Sequence, residues 1–239
     1  MSKNFELLQQ MQRERSDSVS SLLEESHYSG GDWASDEALR LVQQVFLTPT
    51  QSAPRVVVFA GIDHGNGCTQ ICASVAETLA KHTSGSVCIV EANFRSPGLP
   101  DLLGSTNPLG LTDALLQDGP IRSFANPVGI DKLWLLSCGR LTADSTSLLS
   151  SEPIKARFAE LRSEFDFVIV DAPPLTRYAD AIALGQLSDG IVMVLEAETT
   201  RREAAQMAVS NLRSSHVSIL GAVLNKRTYP IPEKLYKWL

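Results

Sequence analysis

The stretch VVVFAGIDHGNGCTQ, residues 56–70, decides the fold. Its first half is a short apolar β-branched run, and its second half is a glycine-rich turn leading into a helical pattern from Thr69 to Lys81. A strand, a glycine turn and a helix in that order form the first unit of a parallel α/β sheet. Further apolar runs follow at Val87 to Val90, Leu133 to Leu136, Phe167 to Val170, Ile191 to Leu195 and Ile219 to Leu224. They alternate with helical patterns over Leu111 to Gln117, Glu152 to Glu164, Asp180 to Leu187 and Arg201 to Arg213. The expected fold is α/β, a buried parallel sheet with helices on both faces, and such sheets bind ligands at the carboxyl ends of their strands.

Composition agrees with one domain plus an appendage. The chain has 239 residues, 44% hydrophobic and 20% charged, which excludes wholesale disorder, collagen-like and coiled-coil classes. A net charge of -6 gives no overall drive toward nucleic acid. No apolar run reaches the roughly 18 residues of a membrane helix, and MSKNFELLQQ lacks a signal-peptide core, so a cytoplasmic protein is expected. Residues 1–52 read as a flexible tail with a short helix near 36–46, capped by Ser35 and presenting Leu39, Val42 and Phe46 on one face. Phe5, Leu7 and Leu8 are either a brief amphipathic segment or a frayed end. A domain over 53–226 and a short tail over 227–239 complete the division. Cys68, Cys72, Cys88 and Cys138 show no C-x-x-C pairing and fall in or beside apolar runs, so buried structural thiols are expected rather than a zinc site.

The loop after the first strand is a phosphate-loop candidate. Gly61, Gly65 and Gly67 let backbone amides converge, and the helix that follows adds the positive end of its dipole. Gly65, Asn66, Gly67, Cys68, Thr69 and Gln70 are the candidate nucleotide-binding residues. A Walker A loop ends in Gly-Lys-Ser/Thr, but here the triplet is Gly67-Cys68-Thr69. A thiol cannot neutralise phosphate as lysine does. The loss is about 1.5–3 kcal/mol of binding and about 10²–10³ in rate. The alternative is a glycine-rich turn that binds no nucleotide. Asp171, closing the run Phe167 to Val170, takes the place of a Walker B carboxylate, and with Thr69 it is the candidate magnesium site; otherwise it caps the next turn. Glu91, Asn93 and Arg95 follow the second strand near the same edge, as site residues or as polar loop residues.

These stretches resemble the bacterial tyrosine kinases, or BY-kinases, of capsular and extracellular polysaccharide export, of the CpsD/CapB type, whose fold is similar to the MinD and ParA P-loop ATPases. The resemblance runs from about residue 35 to 226 through EALR (37–40), HGNGCTQ (64–70), VCIVEANFRSPGLPDLLG (87–104), GLTDALL (110–116), FDFVIVDAPPL (165–175), DAIALGQLSDGIVMVLEAETTRREA (180–204) and LGAVLNK (220–226). It implies ATP and magnesium, ring oligomers and tail tyrosines phosphorylated in trans. It also implies a membrane polysaccharide copolymerase of the Wzz-like kind, whose cytoplasmic segment would recruit the protein to the inner face of the plasma membrane. The departures lie at the chemistry. Cys68 replaces the lysine; Glu91 and Asn93 stand where the family has two aspartates. Glu37 and Arg40 keep the oligomerisation motif, but Gln43 replaces its last arginine. Tyr229 and Tyr236 are the only candidate phosphosites in the tail. The expectation is a regulatory pseudokinase with weak Mg-ATP binding. The alternatives are an active autokinase in which Arg95 or a neighbouring subunit supplies the cation, and a pure scaffold with a plugged loop.

Overall fold

The first strand, β1 (Val56–Gly61), is buried on both faces, because a sheet covered by helices on each side leaves no strand position for water. The structure, a computed structural model, describes residues 30–47, 53–142, 145–149 and 151–228, with only the backbone of residues 30–35. The chain divides into two compact units, residues 1–37 and 38–239. Of the first, residues 30–37 are described and are helical, within α1 (Gly30–Val45). Phe5, Leu7, Leu8, Tyr229 and Tyr236, which the sequence singles out, lie outside the described residues.

The second unit begins with the remainder of α1, where Ala38, Val42 and Val45 are buried, as is Phe46 just after it. The ring of Phe46 meets Phe167 edge to face at 6.0 Å. The helix starts earlier than the sequence suggested, so Ser35 lies inside it and is not its N-cap. Once the packed face from Ala38 onward has formed the helix, adding turns costs little even through Gly30 and Gly31.

Six more strands complete the sheet: β2 (Val87–Glu91), β3 (Asn126–Pro127), β4 (Leu133–Leu136), β5 (Phe167–Ala172), β6 (Gly190–Glu196) and β7 (Ile219–Asn225). Their order is β3-β4-β2-β5-β1-β6-β7. All pairs are parallel except β3 with β4, an antiparallel edge of two residues too short for periodicity to reveal. The helices are α2 (Cys68–His82), α3 (Leu99–Leu103), α4 (Leu111–Leu116), α5 (Ser145–Leu148), α6 (Glu152–Glu164), α7 (Asp180–Gln186) and α8 (Arg202–Ser214).

Alternate residues of the central strands feed two separate cores, as the period of two requires. Val57, Phe59, Ile89 and Ile169 pack with α1 and α2, through Val42, Val75 and Leu79. Val56, Val58, Val90 and Val170 pack on the opposite face with Leu111, Phe158, Leu161, Leu184 and Leu212 of α4, α6, α7 and α8. One expectation fails at the edge: β7 is half-exposed along its length instead of buried, because nothing pairs with its outer side among the described residues. No helix among the described residues is long and apolar enough to cross a membrane.

Candidate functional site

Strand order places the site. β5 lies between β1 and β2, and β6 flanks β1 on its other side, so the loops after β1, β2 and β5 share one carboxyl edge. Asp171 is in register with Glu91 on one neighbour and with Phe59 on the other.

The loop after β1 is wound by Gly65 (φ 85°) and Gly67 (φ 81°), a left-handed backbone that side chains resist. Asn66 is buried and spent on the loop itself, its Oδ1 accepting from the Asp63 amide at 2.7 Å. No side chain caps α2, whose first amides have no partner inside the helix. They face a cleft of ≈ 460 Å³ lined by Gly65, Gly67, Cys68, Thr69, Gln70 and Asn93 among others. A larger hollow of ≈ 730 Å³ runs along α8, between Arg202 and Ser214, and holds neither a glycine loop nor a carboxylate.

Thr69 and Asp171 meet directly: the hydroxyl donates to Asp171 Oδ2 at 2.8 Å. The carboxyl of Asp171 is fully buried, and burial pushes its pKa up to about 7, against the hydrogen bonds from Thr69 and Cys68. Cys68 is half-buried and Cys72 is buried behind it, with its Sγ 3.8 Å from Asp171 Oδ1. A hydrogen bond from Cys72 lowers the Cys68 pKa, but burial and the Asp171 charge outweigh it and hold the thiol above its usual range. Burial, then Cys68, raises Cys72 further.

The residues after β2 separate. Glu91 is fully buried and turned to backbone: Oε1 accepts from Gly98 at 2.6 Å and Leu99 at 2.7 Å, and Oε2 from Cys138 at 3.1 Å. It ties two loops together and does not line the cleft. Asn93 does line it, and its buried Oδ1 has no hydrogen-bond partner. Arg95 is directed elsewhere: it pairs with Asp180 and lies 3.8 Å over the Tyr178 ring, away from the cleft lining. Arg95 is therefore not in place to substitute for a lysine at Cys68. Glu37 and Arg40 fall on exposed positions of α1.

Two residues of the site went unread in the sequence. Asn225, ending β7, donates to the Asn66 carbonyl at 2.8 Å, and its amide stands where a Cβ on Gly67 would be, 2.4 Å away. Lys226 donates to the Gly65 carbonyl at 2.7 Å and pairs with Glu196 at 3.2 Å. Among the described residues lining the cleft, Lys226 is the one lysine or arginine. Their signal was the matching stretch LGAVLNK, whose role depends on β6 bringing β7 toward β1.

The tyrosine-protein kinase YwqD of Bacillus subtilis is 30% identical over 161 residues, covering 67% of this chain and 68% of that protein. The chain belongs to the bacterial tyrosine kinases. The tyrosine-protein kinase Wzc of Salmonella typhimurium is 26% identical over 190 residues, 79% of this BY-kinase chain but 26% of Wzc, so the chain spans about a quarter of that relative's length. No protein-family model matches. Among solved structures, the chimerical protein CapA2B2 superposes with TM-score 0.75 at 22% identity, covering 81% of this chain and 85% of its own. MinD of Pyrococcus horikoshii, complexed with Mg-ADP, superposes with TM-score 0.63 at 18% identity, covering 77% and 76%. The fold is thus that of the BY-kinase domains and the MinD and ParA P-loop ATPases.

Proposed function

We propose that this BY-kinase is a regulatory pseudokinase of capsular or extracellular polysaccharide synthesis, one that keeps a weak magnesium-nucleotide cleft and transfers no phosphate. The observation that carries the reading is Cys68. It opens α2 where the family has its lysine, and its thiol lies beside Cys72 and Asp171, so no cation extends from that position.

The remaining residues fit a magnesium nucleotide. The uncapped start of α2 and the left-handed glycines suit phosphate, and the orphaned Asn93 Oδ1 is a buried acceptor awaiting a donor such as a metal-bound water. Thr69 and Asp171 would hold the ion, which would supply positive charge to offset that of the phosphates. The cleft is open, which counts against a scaffold with a plugged loop. Asn93 cannot accept a proton as a carboxylate does, so a tyrosine hydroxyl there lacks a base. A Wzz-like copolymerase segment at the membrane is the proposed partner, and Glu37 and Arg40 the proposed oligomer contact.

One observation favours a second reading, an active autokinase. Lys226 already touches the loop at Gly65, and by exchanging that carbonyl for a phosphate it would supply the missing charge.

Calorimetric titration with Mg-ATP and mass spectrometry of Tyr229 and Tyr236 test both. Cys68→Lys should tighten Mg-ATP binding about tenfold or more, the worth of a charged hydrogen bond, while the wild-type tyrosines stay unmodified. An unchanged dissociation constant removes the phosphate cradle. Stoichiometric phosphotyrosine in the wild type, lost in Lys226→Met, makes the second reading correct.

A further inference from the structure

Cys68 and Cys72 are one helical turn apart, which stacks their side chains on the same face of α2. That face meets the end of β5. The two sulfurs and an Asp171 oxygen all lie within 4.8 Å of one another, and Cys72 Sγ is 3.8 Å from Oδ1. Cysteines packed for bulk meet apolar atoms; these two converge on a carboxylate.

We propose that Cys68, Cys72 and Asp171 form a binding site for a thiophilic divalent metal, Zn²⁺ foremost, in the floor of the loop that lacks its lysine. Zinc bonds of roughly 2.3 Å to sulfur and 2.0 Å to oxygen set tetrahedral ligand separations near 3.5–3.8 Å, so the cluster, whose atoms lie within 4.8 Å of one another, need contract by at most about 1.3 Å. Thr69 orients the carboxylate by occupying Oδ2, which leaves Oδ1 facing the sulfurs, the way an outer hydrogen bond fixes a metal ligand. Cys68 also lines the cleft, so the fourth coordination position opens there for water. Two thiols and one carboxylate suit Mg²⁺ poorly, because it demands six hard oxygens, and select zinc or a similarly soft ion.

On binding, each thiol gives its proton to solvent as its sulfur bonds the metal. Two thiolates, a carboxylate and Zn²⁺ sum to a charge of about -1, which repels phosphate. Zinc and Mg-nucleotide therefore exclude each other at Asp171. The spacing explains why the site escaped the sequence: a C-x-x-C search misses an i, i+4 pair, and the third ligand is a hundred residues away.

The test uses the purified full chain, reduced and metal-free, titrated with Co²⁺ and then with Zn²⁺ in the absence of nucleotide. One cobalt per chain should appear, with tetrahedral absorption in the visible and sulfur-to-cobalt charge transfer in the near ultraviolet, and zinc should displace it. Cys68→Ser, a change at a half-buried position, should weaken cobalt binding by at least about tenfold and diminish the charge-transfer band. Cys138→Ser should leave both unchanged. Circular dichroism confirms that each variant is folded, and in wild-type protein zinc should shield Cys68 from alkylation. Absence of a sulfur charge-transfer band at one equivalent, or a full band in Cys68→Ser, overturns the site. Because no nucleotide is present, its failure is separate from that of the pseudokinase reading.

Discussion

At the amino edge of the sheet, Asp166 and Asp189 each accept a backbone amide and sit beside an arginine, whereas at the carboxyl edge Asp171 meets a hydroxyl and two thiols. Asp166 takes the Ser86 amide at 2.8 Å and the Ser86 hydroxyl at 3.0 Å, and these bonds, then Arg55, lower its pKa. Asp189 takes the amides of Arg55 at 2.7 Å and Val56 at 2.8 Å. Burial acts against its charge, but the Arg162 bond and those amides outweigh it and leave the pKa lowered. At Asp171 burial wins instead. One edge stabilises its charges and anchors the strands; the other holds a charge under strain, where a ligand can relieve it. Glu91 crosses this division, since it sits at the carboxyl edge and is saturated like the amino-edge carboxylates.

The largest expected effect therefore belongs to Glu91 and not to Asp171. Glu91→Ala leaves the buried amides of Leu99 and Cys138 and the half-buried amide of Gly98 without an acceptor, each costing about 1–3 kcal/mol, so a total near 4 kcal/mol is expected. Urea denaturation measures it, and a loss below about 1 kcal/mol would show that Glu91 is not the anchor. Asp189→Ala comes next. Two amides lose their acceptor at a half-buried site where water reaches them, and about 2 kcal/mol is expected in the same assay.

Alternation of apolar runs with helical patterns placed β1, β2, β4, β5, β6 and β7 and the helices α2, α4, α6, α7 and α8 within about two residues of their ends, and missed the short α3 and α5. It also placed Glu91, Asn93 and Asp171 at strand ends, with Asp171 ahead of the other two as the Walker B carboxylate. What each of them bonds was illegible, because it depends on which amides face them, and the amides of Gly98 and Cys138 arrive through loops whose course no periodicity encodes. The same holds for Arg95, whose Asp180 and Tyr178 partners lie on a loop and helix after β5, and for Lys226, which reaches Gly65 only because β6 joins β7 to β1. The cysteine pair was hidden for a third reason: its partner is a different strand.

A smaller effect separates the edges by acid. Asp166 and Asp189 have native pKa values below their unfolded ones, near 4. Their contribution is fully present above about pH 4 and is lost as pH falls through the lowered native values. The wild-type melting temperature should drop on that acid limb. Asp189→Asn, which keeps the shape and loses the titration, should show a lower plateau and a shallower drop, and equal slopes for the two proteins would remove Asp189 from the acid response.

The smallest stability effect should come from Asp171, the residue with the most chemistry assigned to it. Asparagine has the same shape, its carbonyl can still accept from Thr69 Oγ1, and its NH₂ can face Cys72 Sγ where Oδ1 now lies. The substitution removes a charge that burial already disfavours, so Asp171→Asn should change the unfolding free energy by less than about 1 kcal/mol, and toward greater stability if either way. Glu91→Gln is the matched control. It also preserves shape and removes one charge, but wherever its NH₂ points, a backbone amide that needs an acceptor meets a donor, so it should cost about 2 kcal/mol. If the two isosteric changes cost the same in urea, the carboxylates are equivalent and the division between anchor and ligand group fails. If Asp171→Asn is neutral for folding yet abolishes the cobalt band, the buried carboxyl is held for a ligand and not for the fold.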